Sequence, residues 1–124
     1  MPWVYHQRAG RLIAPDGTVY EGDDVYSGQP PYRNDPAAEG IRFQGPIPRG
    51  SYTIDLNPVN SQNTGAHVLR LTPRGHNAHN RTDLQVHGEN ARRPGLASSG
   101  CVVAPRNARE HMVRAGDETL EVRE

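Results

Sequence analysis

Asp83-Leu84-Gln85-Val86-His87-Gly88 alternates apolar and polar residues and closes on a glycine. Downstream, Ser98-Ser99-Gly100-Cys101-Val102-Val103-Ala104 turns on Ser-Ser-Gly and runs into an apolar stretch. The first segment has the period of a half-buried strand, with Leu84 and Val86 on one face and Asp83, Gln85 and His87 on the other. The second predicts a turn into a short buried strand over Cys101–Ala104. One strand therefore ends in a histidine, and another begins, fourteen residues after it, with the sole cysteine of the chain.

Outward from this pair, short strand signals dominate. The first third reads as a β-meander: Trp3–Gln7, a turn at Ala9-Gly10, Arg11–Ala14, a hairpin signal at Asp16-Gly17, Thr18–Glu21, a turn at Gly22-Asp23-Asp24, and Val25–Ser27. Gly28–Gly40, with three prolines, Asn34 and Asp35, predicts a long binding or capping loop. Gly45-Pro46-Ile47-Pro48-Arg49-Gly50 is a rigid turn before a strand at Ser51–Leu56. Asn57–Gly65 reads as a polar loop, His67–Thr72 as a strand, and Pro73–Arg81 and Glu89–Ala97 as loops. Pro105–Ala115 is the one good helix, with proline at its start and Gly116 past its end, and Thr119–Val122 closes as a strand. The expected fold is mainly β, with one short helix after the cysteine, in a single domain over 1–124.

The chain has 124 residues with 14 basic and 14 acidic side chains, formally neutral and interspersed, and 13 Gly and 11 Pro. The basic residues are arginines, with no lysine. No basic stripe with interleaved aromatics is present, which speaks against nucleic acid as a partner. No apolar run is long enough for a membrane span. The N-terminus Met1-Pro2-Trp3-Val4-Tyr5-His6 lacks the form of a secretory signal. A lone cysteine leaves no internal disulfide, and monomer is the default expectation.

A thiol beside an imidazole is the minimum equipment for cysteine acyl transfer. His87 is the candidate base, with the Gly88 carbonyl to fix its tautomer. The amides of Gly100 and Cys101, at a tight turn beside the sulfur, are candidate oxyanion donors. A thiol activated this way alkylates faster at neutral pH than a free thiol in solution. A buried structural cysteine beside an unrelated histidine fits the same spacing. His76-x-x-His79 lies in a loop without metal-motif spacing, so no metal and no cofactor are expected. His79, Arg81, Ser98, Ser99, Arg92 and Tyr26 are candidate substrate contacts from their closeness to the motif.

His87-Gly88 followed by Ser98-Ser99-Gly100-Cys101-Val102-Val103 resembles the L,D-transpeptidase (YkuD-like) catalytic domain, in which a histidine usually stands where Ser99 stands here. Over nearly the whole chain, through Tyr26-Ser27-Gly28, Gly45–Tyr52, Leu69–Pro73, Gly75–Asp83, His87–Asn90 and Ala97–Cys101, it is similar to the peptidoglycan-targeting L,D-transpeptidase effectors of type VI secretion, which also lack that histidine. The resemblance implies a β-sandwich-like domain with a loop capping the groove. It implies Cys101 as nucleophile, His87 as base and the Gly88 carbonyl as its orienting group. The implied substrate is the tetrapeptide stem of peptidoglycan, whose terminal D-Ala is removed by water or exchanged for a D-amino acid. It further implies a secretion apparatus, a cognate immunity protein, and synthesis in the cytoplasm followed by action in the periplasm of a target bacterium. Two other readings share these residues: a non-catalytic wall-binding module of a phage or secretion apparatus, and a cysteine amidase that cuts a different wall bond.

Overall fold

The computed structural model describes residues 2–90, 92, 95 and 97–124. Among them the strands, in chain order, are β1 (Trp3–His6), β2 (Arg11–Ile13), β3 (Val19–Tyr20), β4 (Tyr26–Ser27), β5 (Gly50–Ile54), β6 (Val59–Ser61), β7 (Gly65–Arg74), β8 (Gln85–His87), β9 (Val102–Val103) and β10 (Thr119–Arg123). One helix, α1 (Arg106–Ala115), follows β9, and 3-10 turns occupy Pro36–Ala38 and Ala78–Asn80.

Period-two patterning fixes which face of each strand is covered. Trp3 and Tyr5 of β1, Tyr52 and Ile54 of β5, and Leu120 and Val122 of β10 are buried, and their neighbours in the chain are not. Each such side chain contributes roughly 1.5–3 kcal/mol of transfer free energy, so the β1–β10–β5 face is the main apolar store. β1 lies parallel to β10, with Trp3 opposite Leu120. β10 is antiparallel to β5, and β5 to β7.

The sheet runs β3-β2-β1-β10-β5-β7-β8-β9-β4, with β6 paired on β7. β7 belongs to both halves: Leu71–Arg74 pair with β5, and Leu69 and Arg70 pair with β8. Pro73 sits in this strand without loss because β8 has ended by that point, so the missing N–H faces no neighbouring strand. The architecture is mainly β and sandwich-like, with one short helix. α1 buries Ala108 and Met112, and Gly116 ends it in the left-handed conformation at φ +70°.

The structure departs from the sequence reading in four places. β4 does not continue the meander; it pairs with β9 at the far end of the sheet. The Asn57–Gly65 stretch read as a loop contains β6 and the start of β7, a hairpin whose register shifts between Val59 and Ser61. β7 runs past Thr72 to Arg74. Cys101 stands just outside β9 rather than within it.

Candidate active site

β8 and β9 are parallel neighbours, with Val86 opposite Val102 and His87 opposite Val103. Carried back one residue, this register sets Cys101 against Gln85. His87 lies two residues further along on the same face, within the diagonal reach of neighbouring strands. Both side chains line one cavity of about 460 Å³, shared with Arg42, Phe43, Asn63, Thr64, Arg81 and Ser99. A second cavity of about 360 Å³ adjoins it and shares His87, Asn63, Thr64 and Ala97.

Cys101 is 9% exposed. Its thiol donates to the Asp83 carbonyl at 3.5 Å. Burial pushes the thiol up to about 11; the Gln85 backbone amide and the Arg81 charge pull the other way and lose. At that value the resting group is a neutral thiol, because burial outweighs the positive neighbour, and this weighs against fast alkylation at neutral pH.

His87 is 2% exposed. Its Nδ1 lies 2.8 Å from the carbonyl oxygen of Gly88, which accepts the Nδ1–H and leaves Nε2 with a free lone pair. Burial holds the imidazole below its ordinary 6.5, aided by the Arg109 charge and opposed by the Gly88 hydrogen bond. Arg109, on α1, lies directly beneath this turn: a Cβ added to Gly88 would meet Arg109 Nη2 at 2.7 Å. Its guanidinium donates to the carbonyls of Ala104, Ala66 and His67.

The candidate substrate contacts separate into two groups. Arg81 and Ser99 line the cavity. Ser98 does not: it is fully buried, its Oγ accepts from the amides of Gly28 at 2.9 Å and Gly100 at 3.1 Å, and it donates to the Cys101 carbonyl at 2.6 Å. The Gly100 N–H is spent on Ser98, which leaves the Cys101 amide as the remaining oxyanion candidate. Tyr26 is a buried pin, donating to Glu89 Oε1 at 2.6 Å and accepting from the Ala97 amide at 2.9 Å. His79 faces Glu39, 3.0 Å from Oε2, away from the cavity. Arg92 is exposed and takes no part in the lining. Gly28–Gly40 contributes no wall; Arg42 and Phe43, just beyond it, do so, together with the β6–β7 turn. Of the Glu89–Ala97 loop, Ala91, Arg93, Pro94 and Leu96 lie outside the described residues.

Residues 21–123 match the family model of the Tlde1 domain. The chain belongs to the Tlde1 domain family. That family is one of type VI secretion effectors. No curated protein and no solved structure gives a significant match.

Several residues of this Tlde1 domain's site escaped the sequence reading. Arg109 carries no local signal, being one of the fourteen arginines of the chain and one of three on the helix. Asn63 and Thr64 were hidden because the hairpin that presents them reads as a loop. Among the described residues no group of three His, Cys, Asp or Glu side chains is arranged to hold a metal ion, and no helix is long and apolar enough to cross a membrane.

Proposed function

We propose that this Tlde1 domain is a cysteine L,D-transpeptidase and L,D-carboxypeptidase acting on the tetrapeptide stems of peptidoglycan. The observation that carries the reading is the fixed tautomer of His87, whose free Nε2 shares a cavity with the only thiol of the chain. Thiol and imidazole are both neutral at rest, so proton transfer accompanies attack. His87 Nε2 takes the Cys101 proton as sulfur bonds to the carbonyl carbon of the third stem residue. The C–N bond to D-Ala breaks, and His87 returns the proton to the leaving amine. A thioester remains on Cys101. Water, or the amine of a D-amino acid reaching in from the adjoining cavity, attacks it with His87 again as base, and the free thiol is restored. The Cys101 amide is the candidate donor to the tetrahedral oxyanion. Loss or exchange of terminal D-Ala depletes cross-linking donors in a target cell, and a protein with this activity needs an immunity partner in its producer.

Mass spectrometry of tetrapeptide muropeptides, with and without added D-amino acid, tests this. Wild type is expected to remove or exchange D-Ala and Cys101→Ala to do neither. An unchanged tetrapeptide with folded wild type would favour a wall-binding module, and a different product a cysteine amidase.

A further inference from the structure

Arg81 is 5% exposed, yet it belongs to the cavity wall beside Cys101. Its Nη1 donates to the carbonyls of Glu39 and Pro46, both at 2.7 Å. Its Nη2 donates to the carbonyls of Gly45 at 2.9 Å and Ser99 at 3.0 Å. All four acceptors are neutral main-chain oxygens. Among the described residues no carboxylate lies in ion-pair contact with Arg81; the nearby Glu39 carboxylate is engaged by Gln7, Arg49 and His79. A guanidinium stays charged in such a setting.

The surrounding backbone is shaped to this side chain. A Cβ on Gly100, at φ +134°, would run into Arg81 Nη2, so only glycine lets the guanidinium lie against the turn that presents the thiol. Ala78, His79 and Asn80, just before Arg81, and Asp83, just after it, all take left-handed φ values of +50° to +61°. Non-glycine residues in that region persist only where the surroundings hold them, and they cluster at functional sites. Here the bend delivers the Asp83 carbonyl to the sulfur and the Arg81 guanidinium to the Ser99-Gly100 turn beside it.

We infer that Arg81 is a positioning residue for the reaction proposed above, tying Ser99 to the 39–46 segment through main-chain carbonyls and standing as an unneutralised positive charge against the Cys101 turn. The inference rests on Cys101 being the nucleophile. The charge favours the sulfur as it becomes anionic, and the four bonds hold the turn still while it does so.

Two variants and one reagent separate these parts. Iodoacetamide alkylation of Cys101 is followed from pH 7 to 10 in wild type, Arg81→Gln and Arg81→Lys, each shown to unfold cooperatively, and D-Ala release is measured in parallel. Arg81→Gln is expected to alkylate about tenfold more slowly at pH 8, the effect of one unit in the thiol titration. Arg81→Lys keeps the charge but cannot span four carbonyls; its alkylation profile is expected to stay near wild type while D-Ala release falls. A folded Arg81→Gln that alkylates at the wild-type rate would overturn the inference. If Arg81→Gln fails to fold, an Arg81→Lys profile displaced to higher pH would overturn it, and a wild-type profile with slowed release would support it. Alkylation involves no peptidoglycan, so failure of the wild type to release D-Ala would refute the substrate reading and leave the Arg81 result standing.

Discussion

Ser98→Ala removes one oxygen and strands three buried backbone groups. The hydroxyl holds the amides of Gly28 and Gly100 and the carbonyl of Cys101, and the side chain is fully buried. Each buried polar group left unpaired costs about 1–3 kcal/mol, so even with partial relaxation the variant should lose about 3–5 kcal/mol. That is about a fifth or more of the roughly 5–15 kcal/mol that holds a typical domain together. In a melting experiment it corresponds to a fall of roughly 10 °C or more. Urea unfolding followed by the fluorescence of buried Trp3 gives the free energy directly. Activity should fall with the folded fraction and through a misplaced Cys101, as a loss in kcat. A Ser98→Ala protein within about 1 kcal/mol of wild type, impaired only in KM, would refute this reasoning and make the hydroxyl a substrate contact after all.

Two further outcomes follow from the site. Because burial holds His87 below 6.5, the base form persists to lower pH than in a free imidazole. The acid limb of kcat/KM for D-Ala release should therefore lie below pH 6.5, and a limb above it would contradict the assignment. The sign for stability is the same: the unfolded chain takes up this proton first, so the contribution from His87 is full above its ordinary value and is lost as pH falls through the folded one. Tyr26→Phe deletes the hydroxyl between Glu89 and the Ala97 amide; chemical denaturation should show a loss of about 1–2 kcal/mol with KM little changed, whereas a large KM effect in a fully stable protein would restore Tyr26 to the substrate contacts.

The chemistry of this site was more legible in the sequence than the walls around it. His87 and Cys101 stand out because alternation and a Gly-ended turn are local signals, and Gly88 supplies its carbonyl from the next peptide. The strand within Asn57–Gly65 is not legible because Val59, Asn60 and Ser61 carry no alternating apolar pair; tertiary pairing with Val68 makes it a strand. The pairing of β4 is obscure in the sequence for a related reason. Two residues cannot reveal whether they pair with the preceding hairpin or with a strand seventy-five residues away, and Tyr26 is opposite Val103 only in the folded chain. Arg81, Arg109 and Ser98 are ordinary polar letters in the sequence. Their work is to satisfy carbonyls and amides from distant segments, and no periodicity encodes that.

Along the nine-strand path both margins are only two residues long, β3 closing one end and β4 the other, and β6, off that path, has only three residues. A longer bare margin would offer a row of unpaired amides to any extended chain it met, including another copy of itself. With two-residue margins the surface on which such stacking can begin is small, even though most of the regular structure is β. A member of an effector family stays clear of edge-to-edge pairing where its margins are blunted. Truncating the outermost strands to a single pair of residues protects it without adding charge to a formally neutral protein.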